Sequence, residues 1–252
     1  IAGYSPYIQV IVTIFMMLFG TNFAFYYLII AKKVKDAFCM EEVKAYFAIF
    51  TAATLLIAFN ILSQIGNVGD SLRHAAFQVA SIMTTTGFAT TDFDQWPEFS
   101  RTLLVMLMFI GACAGSTGGG IKVSRILMYM KTIKKELGIL IHPRSVKIVM
   151  MDGKKLDHPV VRAANIFLIS YAGILVASIL LLTIDNFDFT TNVTAVISAL
   201  NNIGPGLSLV GPAGNFAFFS GFSKYVLMFD MLAGRLEIFP MLLLFVPYTW
   251  KK

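Results

Sequence analysis

Met83-Thr84-Thr85-Thr86-Gly87-Phe88-Ala89-Thr90-Thr91 is a run of hydroxyl side chains broken by a single glycine and set between two strongly apolar segments. The amphipathic segment leading into it, Ser71 to Met83, covers only about 20 Å at ~1.5 Å per residue, short of the ~30 Å hydrocarbon core of a bilayer. It enters and stops. Backbone that turns non-helical at membrane depth is tolerated only where it lines a wet cavity or is buried in protein. Gly87 reaches positive φ without steric cost, which lets successive carbonyls turn toward one axis. Rings of such carbonyls, helped by Thr hydroxyls, replace the water of a potassium ion. The C-terminal end of the short helix, negative in its dipole, also favours a cation. The stretch therefore reads as an ion-selectivity filter. The fold class that follows is an all-α membrane protein, with repeated helix, re-entrant pore-helix and helix units.

Composition agrees. Hydrophobic residues make up 57% of the 252 positions and the mean hydropathy is +0.75, above the roughly 45–50% apolar content of soluble domains. The net charge of +6 suggests nucleic acid at first sight, but its placement points to topology instead. If the long helices alternate direction, Lys32, Lys33, Lys35, Lys122, Arg125, Lys131, Lys134 and Lys135 collect on one side with most other basic residues, which marks that side as cytoplasmic. No nucleic-acid partner is needed. Cys39 and Cys113 fall at different depths and are expected to be unpaired packing residues. His74, His142 and His158 have no metal-ligand spacing, and the last two directly precede proline. No signal peptide is recognisable. The opening Ile, in mid-membrane style, suggests a piece of a longer polypeptide.

Residues 1–35 read as the inner helix of a preceding unit, with Tyr7 to Ala31 one inward span stopped by Lys32, Lys33 and Lys35. Asn22 within it either lines a water path or bonds a neighbouring helix, the commoner role. Residues 43–137 read as a pore repeat, with Val43 to Ile65 crossing outward before the short helix and the filter segment. The outer loop then carries Asp92, Asp94 and Glu98, which either concentrate cations at a mouth or are ordinary solvated charges. Phe99 to Ala114 descends, and the Gly111/Gly115 spacing predicts close helix packing.

Gly115-Ser116-Thr117-Gly118-Gly119-Gly120 breaks that descent about 17 residues in, or ~25 Å at helical rise. A phosphate-binding loop would need Gly-Lys-Ser/Thr after a strand, whereas Gly120-Ile121-Lys122 follows a membrane helix. A plain cytoplasmic turn is one reading; a flexible intramembrane loop beneath the filter, able to obstruct the pathway, is preferred. Ile121 to Leu137 is amphipathic. Residues 138–160, basic and interrupted by Pro143 and Pro159, read as a cytoplasmic loop.

Residues 161–252 repeat the pattern: Val161 to Ile184 spans outward, Thr190 to Leu200 is a second half-helix, and Asn201-Asn202-Ile203-Gly204-Pro205-Gly206 follows. Setting Gly204 on Gly87 places the Asn pair on Thr84 and Thr85 and Ser198 on Ser81, a period of 117 residues. Interrupted apolar segments at matching places in two halves point to a site at their interface. The last span, Gly221 to Tyr248, carries Asp230, Arg235 and Glu237. An arginine roughly 21 Å deep must face protein or water, either paired with a carboxylate or as a fixed positive charge under the filter.

These motifs together resemble the Trk/Ktr/HKT superfamily of potassium transporters, and most closely its bacterial TrkH-type branch. The matching stretches are Thr84-Thr85-Thr86-Gly87-Phe88, Asn202-Ile203-Gly204-Pro205-Gly206, the Gly115 to Gly120 loop followed by Ile121-Lys122, and Gly234-Arg235. The resemblance implies four covalently linked units around one pore. It implies that Thr84, Thr85, Thr86 and Gly87, with Asn201, Asn202, Ile203 and Gly204, form the filter and bind K+, the metal lying at Thr85, Thr86, Asn202 and Ile203. It further implies a gate made of Gly115, Ser116, Thr117, Gly118, Gly119, Gly120 and Arg235. Two filter segments make half a ring, so an N-terminal half is expected to complete the pore. A homodimer, a cytosolic nucleotide-binding TrkA-type regulatory subunit and a place in the bacterial inner membrane are implied in the same way. The competing readings are an alternating-access transporter for a polar solute and a sodium-permeable member of the superfamily. A membrane enzyme lacks a nucleophile and base set.

Overall fold

The computed structural model describes residues 1–142, 148–235 and 243. The first apolar stretch, expected as a single inward span, is not one straight helix. It forms α1 (Pro6–Phe19) and α2 (Phe23–Ile30), whose axes differ by 88°. At the corner, Asn22 caps α2 by accepting the Ala24 N–H at 2.8 Å. Backbone groups freed there are met by a distant loop: Cys113 N–H donates to the Gly20 carbonyl (3.0 Å), Thr117 N–H to that of Phe19 (3.4 Å), and Phe23 N–H to that of Gly115 (3.1 Å). An open turn at membrane depth survives because other backbone satisfies it.

A short α3 (Val34–Cys39) leads to α4 (Glu41–Ile65). Gly66, at φ 72°, ends α4 with its N–H on the Leu62 carbonyl, as a left-handed glycine cap does. Asn67 then caps α5 (Val68–Met83), which starts three residues earlier than the amphipathic pattern suggested. α6 (Glu98–Phe109) descends and α7 (Val123–Ile141) follows a non-helical connection. The stretch expected to be all loop from 138 to 160 is shorter than that. α7 runs to Ile141, β1 (Met150–Met151) and β2 (Lys154–Lys155) make an antiparallel hairpin, and α8 (His158–Leu182) starts with Pro159 in its first turn. α9 (Phe189–Leu200) is capped by Asp188, which accepts the Thr191 N–H at 2.9 Å, and α10 (Gly221–Arg235) completes the described chain. Pro143, Arg144 and Lys147, and the end of the last span with Glu237, Tyr248, Lys251 and Lys252, lie outside the described residues.

α4, α5 and α6 pack on one another, as do α8, α9 and α10; α1 lies on α5, α6 touches α9, and α7 touches α4 and α8. The core gathers around the short helices. Phe77, Ile82 and Met83 of α5 and Ile197 and Leu200 of α9 are almost wholly buried, with Tyr46, Ile57, Ile61, Leu104 and Met108 around α5. The long helices do the opposite. α4 and α8 reach a mean hydropathy of 2.0 and 2.4, yet only 28% and 22% of those windows is buried, and residues such as Phe59 and Ile169 face outward. Water would not tolerate this arrangement, and a bilayer requires it. Of the two free cysteines, Cys113 is buried as expected, while Cys39 is exposed and packs no core.

Gly20 sits where α1, α4 and the end of α5 meet. A Cβ there would lie 2.4 Å from the Tyr46 hydroxyl and 2.7 Å from Thr84 Cγ2. Gly20→Ala in the full-length protein is expected to cost about 1–3 kcal/mol through overpacking, seen as a lower thermal midpoint in detergent. Adding Tyr46→Phe, which removes the nearest atom, should restore part of the loss.

Candidate functional site

The two hydroxyl- and amide-rich segments share one backbone path, residue for residue at the 117-residue offset. α5 ends on Thr84 (φ −90°, ψ 2°) and α9 on Asn201 (φ −94°, ψ 0°). Next come Thr85 and Asn202, both left-handed at φ 53° and 56°, and two residues later Gly87 and Gly204 at φ 78° and 114°. Between them, Thr86 N–H donates to the Ser81 carbonyl (2.8 Å) and Ile203 N–H to the Ser198 carbonyl (2.9 Å). The serines brace the far end as well. Ser81 Oγ donates to the Phe88 carbonyl at 2.6 Å, and Ser198 Oγ, one residue short of the matching place, to the Gly204 carbonyl at 2.7 Å while accepting the Gly204 N–H at 3.0 Å.

What this path leaves over is a set of main-chain acceptors. Among the described residues, the carbonyls of residues 84–87 and 201–203 accept no hydrogen bond, although nearly all buried backbone groups in proteins are paired. The segments also approach closely. A Cβ on Gly87 would lie 2.2 Å from the Ile203 carbonyl oxygen, and one on Gly204 3.7 Å from Gly87 Cα. Both half-helices point their C-terminal, partially negative ends at these segments.

Side chains take a different part from the one the sequence suggested for them. Thr84 Oγ1 donates to the Ala80 carbonyl (2.7 Å) and meets Thr86 Oγ1 (2.8 Å), while Thr85 Oγ1 accepts the Gly119 N–H (2.8 Å). Asn201 bonds the Tyr171 hydroxyl and the Ile197 carbonyl, each at 2.8 Å, and Asn202 the Met231 carbonyl at 3.0 Å. Ile203 is buried. The hydroxyls and amides fasten the segments, and the carbonyls remain open.

Residues 113–120 form a loop closed at its neck by strand-like pairing, with Gly111 N–H on the Ile121 carbonyl (2.8 Å) and Val123 N–H on that of Ala112 (3.3 Å). Gly111 is therefore not part of a helix-packing pair. α6 has already ended at Phe109, and a Cβ on Gly111 would lie 2.2 Å from the Gly119 carbonyl. Gly118 and Gly119 are equally tight, a Cβ falling 2.7 Å from Ala112 Cβ and 2.7 Å from the Asn201 carbonyl respectively. The glycines let the loop press against the filter-like segments. Ser116 Oγ closes on the Cys113 carbonyl, Lys122 Nζ reaches the Gly118 carbonyl, and Arg235 donates to the Thr117 carbonyl at 3.3 Å. The loop, Lys122, Arg125, Tyr171, Asn201 and Arg235 line a cavity of ≈ 420 Å³.

The family model described as TrkH, cation transport protein, matches residues 2–252. The chain belongs to the TrkH family. It is 36% identical to the Trk system potassium uptake protein TrkH of Salmonella typhimurium over 98% of its own length and 52% of that protein. It is 30% identical to TrkG of Escherichia coli K12 over 97% and 50%. The crystal structure of the potassium transporter TrkH from Vibrio parahaemolyticus superposes with a TM-score of 0.91 at 36% identity, over 100% of this chain and 55% of that one. The chain thus spans about half the length of these relatives.

Within this TrkH-family chain, Asp230 is buried on Ser178 (2.7 Å) and makes no ion pair with Arg235 among the described residues. The outer acids are engaged too: Arg101 bridges Asp94 (3.1 Å) and Glu98 (2.6 Å), and Asp94 also accepts the Ser208 N–H (3.0 Å), tying one repeat to the other. His74 bonds Thr90, and no metal-ligand cluster occurs among the described residues. One residue escaped the sequence reading altogether. Glu42, 4% exposed, accepts from Asn22 Nδ2 (3.3 Å) and from the Ala114 and Ser124 N–H groups (2.6 and 3.1 Å). The signal was an acid at the edge of an apolar span, where solvated charges are also common.

The serine braces are testable as a pair. Ser81→Ala and Ser198→Ala should each destabilise the full-length protein by about 1 kcal/mol, with similar drops in thermal midpoint; an effect confined to one of them would break the equivalence of the repeats.

Proposed function

We propose that the chain supplies two of four filter segments of a potassium-uptake pathway in the bacterial inner membrane. The observation that carries this reading is the row of unpaired carbonyls at equivalent places, residues 84–86 and 201–203, with that of Gly87 beside them, held open at the C-terminal ends of two half-helices. Bare oxygens at such a place replace ion hydration, and the helix ends add negative potential. K+ is the ion, in keeping with the names of the relatives. It lies against the main-chain oxygens of Thr85, Thr86, Asn202 and Ile203, with Thr84, Gly87, Asn201 and Gly204 completing the two segments.

Two segments make half a ring, and the other half comes from an N-terminal portion like that of the longer relatives. Open cavities on both flanks, one lined by Thr85, Asn202 and Met231 and the other by Ile11, Thr86 and Phe88, are suited to receive it. The loop from Gly115 to Gly120 is the gate. Its Gly119 N–H already holds Thr85, and Arg235 and Lys122 bring positive charge beneath the filter, which opposes a cation until the loop moves. The assembly is a homodimer regulated by a cytosolic nucleotide-binding subunit of the TrkA type. An alternating-access carrier for an anionic solute would turn helix N-termini to its site; here C-termini face it.

The test uses the full-length protein in proteoliposomes. Wild type should carry rubidium well ahead of sodium, and Gly87→Ala, strained at φ 78° and driven into the Ile203 carbonyl, should reduce that preference by about tenfold. Anomalous scattering should place rubidium between residues 85–87 and 202–204. Equal rubidium and sodium fluxes in wild type, or no heavy ion there, defeats the proposal.

A further inference from the structure

α4 begins with two acids that reach in opposite directions. Glu41 pairs with Lys131 of α7, and its N–H donates to Asp152 of the hairpin at 2.7 Å. Glu42 turns inward. Its Oε1 accepts both the Ala114 N–H, where the loop begins, and the Ser124 N–H, in the first turn of α7 where the loop has ended. Its Oε2 accepts from Asn22 at the corner between α1 and α2. One buried oxygen therefore joins the two ends of the loop, at the first turn of α7 where helix N–H groups lack partners and the dipole is positive.

The residues between those ends are held by other parts of the fold: Gly115 by Phe23, Thr117 by Phe19 and Arg235, and Gly119 by Thr85, while Ile121 and Val123 pair with Gly111 and Ala112 at the neck. We infer that Glu42 is the positioning residue of the gate: it clamps both loop ends, so that opening rearranges residues 115–120 between fixed points and leaves the neck, with its Gly111–Ile121 and Ala112–Val123 pairs, in place. This rests on the reading of the loop as a gate. The same turn of α4 carries the Glu41 contacts to α7 and the hairpin, so a force applied to that cytoplasmic face reaches the loop through this joint.

The test compares two substitutions in the full-length protein, in proteoliposomes without any cytosolic partner. Glu42→Gln keeps the length and one oxygen able to accept both peptide N–H groups, giving up only the acceptor for Asn22 Nδ2; Glu42→Asp keeps the charge but withdraws it by one methylene. Asp should speed amide exchange at Ala114 and Ser124 and raise the unstimulated rubidium leak, each by about tenfold, with the rubidium-to-sodium ratio unchanged. Gln should stay near wild type in both. The inference is overturned if Asp matches wild type, if its leak is unchanged, if the ion preference shifts, or if Gln speeds exchange at Ala114 and Ser124 more than Asp does. Should the Asp variant not fold, Gln still decides, since faster exchange at Ala114 and Ser124 in that variant overturns the clamp. Amide exchange needs no transport, so a wild type that carries no rubidium would defeat the proposed function and leave the clamp to be judged separately.

Discussion

A peptide carbonyl drawn away from water and given no donor is costly, and this molecule carries two rows of donor-free carbonyls on partly buried segments that line its cavities. Much of the packing is explained by what it takes to hold such a row open. The segments cannot hold themselves, because left-handed Thr85 and Asn202 break helical bonding and no sheet partner replaces it. Support comes from behind: half-helices buried on nearly every face, serines that pin the far end of each segment, and Asn and Thr side chains turned back onto α9, α10 and the loop. The most apolar surfaces are left for the outside, where lipid accepts them.

The same constraint links the first corner to the loop. Neither the break at Gly20 to Asn22 nor the turn at residues 113–117 satisfies all of its own backbone; the Phe19 and Gly20 carbonyls and the Phe23 N–H find their partners in that turn, and Glu42 joins both. Two irregular elements that would be intolerable alone in a membrane become one hydrogen-bonded unit.

Much of this was legible beforehand because it is local. Half-helices show as short amphipathic segments, the filter-like stretches as hydroxyls or amides ahead of a lone glycine, and the duplication as the recurrence of the whole order. Three things were not. Hydropathy is blind to direction, so the corner between α1 and α2 looked like one continuous apolar span. Gly111 was assigned to helix packing because glycine spacing does not say whether a helix or another loop approaches it. Glu42 could not be told from a solvated charge, since its partners at Ala114 and Ser124 lie 72 and 82 residues away. For the corner and for Glu42 the deciding contact is distant in the chain; for Gly111 it is the return of the loop only a few residues on.

The α1–α2 corner has a bearing on biogenesis. Its freed backbone is satisfied by a loop far downstream; Thr117 Oγ1, for instance, bonds the Phe19 carbonyl across 98 residues. As the polypeptide leaves the ribosome, the early segment has no such partner. The contacts that satisfy the corner therefore come into existence only once the loop has been synthesised, which makes the order of synthesis and the order of bonding run in opposite directions here.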